Sequence, residues 1–478
     1  MRRVTACAFT LALLGVPATA GAAAPWSAPI AIGPSTQCAP TVAFGSVAAG
    51  IVSWSPSCVS GPRQTKLAST SGQVLRTVPR VLAQPLVAYG TRTVLLRQRL
   101  LTRATDFRHD SRTRLDIAFG RTSGTVGNAR ALVTIRNLEH LAFVASPRGD
   151  LAVGWVEFAC RRDAKGDCLS ERRRLRVMVR PAGGSFRAPV TLARDTRSDG
   201  SELSTGDPSL AFGPQGDLVV SYTGRRSTGS HAQVVLARVR RSGHGFGGAV
   251  VVGPRRQVTD IDAAVTSTGA VFVAWGSQDG GEEANLPFVV RAARRAAGAG
   301  QFGTARVLDP GAGIARSPGR VALGVAPDGT ATVAWSQIVG KPVTSFPVRV
   351  ATSDAAGVFG ASSDLAALGA VHDLAVNSDG TTLVIWGKIS LADDQQAEQI
   401  MAAIRPGGAP SFGAAETVSD SDQPSIADAA FDPASGQPVV VWTARRATAT
   451  LTSPGVRLSR RAAVQARLTR SLHHPCRH

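Results

Sequence analysis

The chain has 478 residues, 44% of them hydrophobic, with 50 glycines, 28 prolines and a net charge of +20. Glycine and proline at that level, among short runs rich in Val, Leu and Ala, fit many short strands and tight turns and exclude a mainly helical fold. Past the first 24 residues no stretch offers about 20 uninterrupted apolar residues, which excludes a membrane-spanning helix.

In chain order, Arg2 and Arg3, an apolar run from Val4 to Val16 and the small residues Ala18-Thr19-Ala20 read as a secretory signal peptide over 1–24. A secreted mature protein is expected, and Cys7 lies too early in the apolar run to be a lipidation site. Export permits disulfides. Cys38 and Cys58 flank a turn near residue 48, where a hairpin would set them across from each other. Such a bridge closes a loop worth roughly 3 kcal/mol of chain entropy. Cys160 and Cys168 bracket a loop they can staple, and Cys476 is left alone in the tail.

Through the body of the chain a unit recurs. Trp54, Trp155, Trp275, Trp335, Trp386 and Trp442 each end a short apolar strand, and Tyr222 takes the same place in Asp217-Leu-Val-Val-Ser-Tyr222. One unit has lost its aromatic, near Arg97. Each unit opens with an apolar strand A, turns through a glycine, as at Asp328-Gly329 and Asp379-Gly380, and enters strand B, which ends at the tryptophan. A third strand C follows, then an aromatic (Phe186, Phe246, Phe302, Phe359, Phe412) and a fourth strand D. First strands fall near residues 39, 85, 140, 208, 260, 320, 372 and 425. Four strands per unit predict an all-β fold, a β-propeller of about eight four-stranded blades over 25–459, with seven as the alternative count. The last unit lacks a fourth strand, and Trp26-Ser-Ala-Pro-Ile-Ala-Ile32 matches Phe186-Arg-Ala-Pro-Val-Thr-Leu192, so the N-terminal strand is expected to complete the last blade. Residues 460–478 read as a basic, disordered tail.

The glycine and aromatic that follow the third strand resemble the Asp-box repeats of the sialidase-like, or BNR, propellers; the closest copy is Thr352-Ser-Asp354-Ala-Ala-Gly357-Val-Phe359. The resemblance implies a glycosidase chemistry built on an arginine triad, a tyrosine nucleophile with its glutamate, and an aspartate acid. Only Tyr89 and Tyr222 exist. Tyr222 sits in the tryptophan slot, and Tyr89 stands where Phe44 and Phe212 stand in sister units, so both read as packing residues. No catalytic set is recognisable.

The long segments are predicted to be B–C and D–A loops, which share one face in a propeller: Leu100 to Arg112, Glu157 to Arg173, Arg194 to Asp207, Gly276 to Pro287, Gly387 to Gln399 and Thr443 to Gly455. That face is the expected binding surface. Its candidate ligand contacts are Asp106, His109 and Asp110, Glu282 and Glu283, Asp393 and Asp394, and the basic pair Arg445 and Arg446. No calcium loop, phosphate loop, zinc-binding helix or nucleic-acid module is present, so no cofactor and no metal is expected. The arginines read as spread along the chain, matching GC-rich codon usage more than a polyanion site. The expectation is a noncatalytic, monomeric secreted propeller binding a glycan or another macromolecule. A divergent sialidase-like glycoside hydrolase and a wall protein associated with acidic polymers are the alternatives.

Overall fold

The computed structural model describes residues 26–27, 30–34, 40–45, 50–54, 64–79, 86–102, 111–162, 168–194, 208–225, 233–253, 257–278, 288–309, 318–339, 345–390, 397–419, 424–444 and 455–460. These form strands and turns, with no helix among them, and the strands assemble into eight four-stranded antiparallel sheets. Sheets 1 to 7 span 41–79, 86–136, 138–194, 209–251, 257–309, 318–366 and 370–417. Sheet 8 joins 424–460 to the strand Ile30–Pro34, whose Ile30 lies opposite Leu458 and Ala31 opposite Arg457. The A strands of successive sheets lie against one another from sheet 1 to sheet 8 and back to sheet 1. The molecule is therefore a β-propeller, with A strands around the axis and D strands at the rim.

Apolar faces between sheets hold the ring together. The six repeat tryptophans are at most 1% exposed and Tyr222 3%. Each repeat tryptophan after the first packs back on the sheet before it: Trp335 joins Phe272, Phe288 and Val290 of sheet 5, and Trp155 joins Val94 and Leu96 of sheet 2. Truncating such a residue to alanine costs about 3–5 kcal/mol. Both tyrosines serve this packing, as expected: Tyr222 is buried, and the Tyr89 ring lies over Gly149.

In sheet 1 the described part of strand B is Gly50–Trp54. Elsewhere it runs on to Arg162, Arg225, Gln278, Gln337, Ile389 and Ala444. Backbone pairing with strand C does not depend on the buried side chain, so the hairpin zips past it and the loops are shorter than expected. Residues 157–162 and 168–173, read from sequence as loop, are paired strand: Cys160 faces Glu171 and Cys168 faces Arg162, so the two cysteines are not opposite each other.

The Asp-Gly turns form as predicted. Ala326 to Gly329 is a hydrogen-bonded turn, with the Gly329 amide donating to the Ala326 carbonyl at 2.9 Å and Gly329 at φ 91°. In the Asp-box-like copy, Asp354 accepts from the Val358 amide at 2.8 Å, fixing the turn that carries buried Phe359 into the seam against Phe272. In sheet 2 the phenylalanine place is held by Val126, bridged to Gly120 as Phe359 is to Ser353.

Candidate functional site at the centre of the ring

All nine loop candidates, Asp106, His109, Asp110, Glu282, Glu283, Asp393, Asp394, Arg445 and Arg446, lie outside the described residues, as do Cys38 and Cys58. What the structure brings together is a charged group on the innermost strands, which sequence reasoning passed over as apolar A strands. Asp260 and Asp262 come from Gln257–Val265, Arg320 from Pro318–Val325, His372 and Asp373 from Ala370–Val376, and Asp428 from Pro424–Phe431.

Local backbone irregularity aims these side chains. The A–B pairing carries a β-bulge at one level in five sheets, between 138 and 140, 258 and 260, 318 and 321, 371 and 373, and 424 and 427. A bulge leaves a residue outside the ladder and redirects its side chain. Arg320 and His372 are such residues. Asp260, Arg320 and His372 lie in the first half of their A strands, toward the end of the ring where the D–A and B–C loops attach, and Asp262, Asp373 and Asp428 lie at or just past the middle.

The carboxylates also tie neighbouring sheets together. Asp262 accepts the Leu323 amide at 2.9 Å, Asp260 the Val321 amide at 2.6 Å, Asp373 the Ala429 amide at 3.1 Å and Asp428 the Val42 amide at 2.8 Å. Ser209 makes the equivalent tie from sheet 4 to sheet 5, accepting the Ala263 amide at 3.1 Å while its hydroxyl donates to Asp262 at 2.8 Å. Counted back from the residues that open their A–B turns, Gly213, Thr266, Asn377 and Asp432, Ser209, Asp262, Asp373 and Asp428 hold one repeat position. That recurrence was the sequence signal available for finding them.

Sheet 6 has Ala322 at this position and no acceptor. There Arg320 reaches over to donate to the His372 carbonyl instead.

Electrostatically the group is acidic and crowded. The carboxylates and His372 are half-buried and Arg320 exposed, yet protein surrounds them, as befits side chains facing a narrow axial channel. Burial pushes the Asp260 carboxyl up to about 6, with Asp262 adding to the rise against the amide bonds that oppose it. Burial likewise raises Asp262. Asp428 is raised well above the ordinary carboxylate range by burial, then by Asp373, with which it shares a hydrogen bond. Burial works against the charge on Arg320, but Asp373, Asp262, Asp260 and Asp428 together outweigh it and raise its pKa. His372 is pushed down to about 4 by burial and by Arg320, and its Nε2 is buried with no hydrogen-bond partner. At neutral pH the channel thus holds a neutral imidazole and one guanidinium among carboxyls, of which burial and Asp373 favour the protonated form of Asp428. Among the described residues no group of His, Cys, Asp and Glu is arranged to hold a metal ion.

The arginines are not evenly spread, contrary to the expectation from sequence. Residues 86–194, sheets 2 and 3, hold 21 basic and 9 acidic side chains, whereas residues 257–423 hold 10 basic and 17 acidic.

No family model matches the chain, and no curated protein matches it in sequence. Among solved structures it is similar to a polysaccharide lyase, Uly1, at 10% identity over 91% of this chain and 99% of that one, with a TM-score of 0.48. It is also similar to the Hadza microbial sialidase Hz136 (9% identity, 74% of each chain, TM-score 0.39). A third is an α-L-arabinanase from Penicillium chrysogenum (12% identity, 68% of this chain and 93% of that one, TM-score 0.38). At such identities the likeness is one of architecture and says nothing of activity.

Proposed function

We propose that the protein is a secreted, noncatalytic propeller of eight blades, closed by its N-terminal strand, which binds a glycan or another macromolecule on the face that carries its B–C and D–A loops. The observation that carries this reading is the polar mouth beneath those loops. Asp260, Asp262, Asp373 and Asp428 are held by amides of the next sheet and keep oxygen lone pairs for a ligand's hydroxyls, and Arg320 offers a fork of donors beside them. Carboxylates so occupied in joining blades are poor candidates for proton shuttling. Both tyrosines are spent on packing.

One observation favours the glycoside-hydrolase alternative, namely an Asp428 carboxyl raised well above the ordinary range and hydrogen-bonded to Asp373, since acid–base hydrolysis of sugars needs a raised carboxyl acid near a second carboxyl.

A single experiment addresses both. Purified mature protein is screened on a broad glycan array, with released reducing sugar measured in parallel, and compared with the Glu282→Ala/Glu283→Ala/Asp393→Ala/Asp394→Ala variant. Binding that falls about ten-fold or more in the variant, without sugar release, is expected. Sugar release abolished by Asp428→Asn would establish the hydrolase instead, and binding indifferent to the loop substitutions would remove the loop face from consideration.

A further inference from the structure

The seam between sheets 1 and 2 differs from every other seam with a described tryptophan slot. In sheets 3, 5, 6 and 8 the tryptophan slot stands opposite an arginine across strands B and C (Arg176, Arg291, Arg349 and Arg457), and in sheets 1, 4 and 7 the slot stands opposite Lys66, Leu236 and Met401; in none is the partner acidic. In sheet 2 the pair is changed on both sides. Arg97 stands in the slot and faces Asp116. Burial lowers the Arg97 pKa, Asp116 counters that, Arg76 of sheet 1 lowers it further, and the Arg97 Nε is buried without a hydrogen-bond partner.

More arginines share that face. The register sets Arg99 opposite Arg114 and Arg112 opposite Arg136. Residues two apart on a strand, and partners directly across, project from the same side of a sheet. Arg97, Arg99, Arg112, Arg114 and Arg136 therefore lie on one face, with Asp116 among them. Leu95, on that same face, packs on Ile51 and Leu67 of sheet 1, and Arg76 spans the seam to donate to the Val126 carbonyl at 2.8 Å.

Among the described residues of sheets 1 and 2, Asp116 is the one acidic side chain. Asp116 is engaged bidentately by Arg114 at 2.7 and 3.0 Å, and residues 25–85, which supply the facing wall, contain no aspartate or glutamate. Like charges placed directly across a sheet destabilise it. Yet among the described strands Arg faces Arg four times, as Arg92–Arg121, Arg99–Arg114, Arg112–Arg136 and Arg174–Arg194, always in sheets 2 and 3. A sheet that keeps such pairs is suited to an anion that neutralises them.

Resting on the binding reading above, we propose that this seam binds an anionic polysaccharide, whose acidic groups lie between Arg76, Arg97, Arg99, Arg112, Arg114 and Arg136. Guanidinium forks engage planar carboxylates two bonds at a time. The large apolar residues exposed among the described positions are all aliphatic, so the seam lacks the aromatic platform on which single-stranded nucleic acid stacks.

The test titrates the full mature chain with polygalacturonate, neutral dextran and oligothymidylate at low and at physiological salt. Arg112→Gln/Arg114→Gln is compared with Arg241→Gln/Arg306→Gln, which removes the same charge from sheets 4 and 5. Polygalacturonate is expected to bind with strong salt dependence, to lose about ten-fold or more in affinity in the seam variant, and to lose less than about two-fold in the control. Equal losses in both variants, no binding of polygalacturonate, or tighter binding of oligothymidylate would overturn the seam as a polysaccharide site. The loop-face reading fails separately, when substitutions at Glu282, Glu283, Asp393 and Asp394 leave every glycan interaction unchanged.

Discussion

A tryptophan that reaches back across a seam needs space, and single glycines provide it. A Cβ on Gly253, at the D–A junction ahead of sheet 5, would land inside the Trp275 indole, and Gly369 stands in the same relation to Trp386. Trp275 is fully buried, so it has nowhere to retreat. Gly253→Ala is expected to cost about 1–3 kcal/mol by overpacking, read as a lower urea midpoint at unchanged slope.

Two channel residues titrate in opposite senses. The folded state holds the proton on Asp260 up to about pH 6, above the unfolded carboxylate value, so its contribution to stability is present at low pH and is lost as pH rises through that window. His372, depressed to about 4, does the reverse: the unfolded chain takes up its proton first, and stability is lost as pH falls from the unfolded imidazole value through 4. Over the shared window the two slopes oppose each other. Asp260→Asn should therefore leave a chain whose stability, relative to wild type, improves from pH 4.5 to 7.5, and His372→Gln one whose relative stability declines over the same range. Urea denaturation at both pH values checks the signs.

Among the elements, the strand Ile30–Pro34 carries the most consequence for its length. It is the rim strand of sheet 8, paired with Gly455–Arg460, and Trp26 just before it packs among Leu383, Ile385 and Trp442. Without it Gly455–Arg460 becomes an open edge, free to pair with another chain. Removing residues 25–34 is expected to lower the melting temperature and to produce concentration-dependent oligomers by light scattering. An unchanged monomer of unchanged stability would show that the strand does not close the ring.

Elements of this kind were legible because they repeat. First strands expected near 140, 208, 260, 320, 372 and 425 lie at Leu138–Ala145, Ser209–Phe212, Gln257–Val265, Pro318–Val325, Ala370–Val376 and Pro424–Phe431. A tryptophan, or Tyr222 in its place, marks every unit but that of Arg97, and turn glycines recur with it, because burial against a neighbour and a left-handed turn are demands that recur from blade to blade. The channel group was not legible in the same way. Its charges are single or paired polar residues scattered in largely apolar strands, and only alignment on the turn residues reveals that Ser209, Asp262, Asp373 and Asp428 coincide. Arg97 was seen in the sequence as a missing aromatic. What replaced it became visible only when register set Asp116 opposite and Arg99, Arg112, Arg114 and Arg136 on the same face.

At the scale of the whole molecule, charge is divided across the ring. Sheets 2 and 3 are basic, and the stretch 257–423, which includes sheets 6 and 7 on the far side, is acidic. A net charge of +20 thus understates the local field near sheets 2 and 3, and a polyanion approaching the molecule would be turned toward that side before touching it.

The pairing of Ile30 with Leu458 also sets a timetable. A ribosome makes the first of these residues long before the last; at 5–20 residues per second the interval is roughly twenty to eighty seconds. Throughout it, seven sheets can form in order of synthesis while the rim strand Ile30–Pro34 waits for the rest of sheet 8. Sheet 8 is thus completed only once Gly455–Arg460 has been made, and a polypeptide truncated anywhere before that strand leaves Ile30–Pro34 without the partner it pairs with.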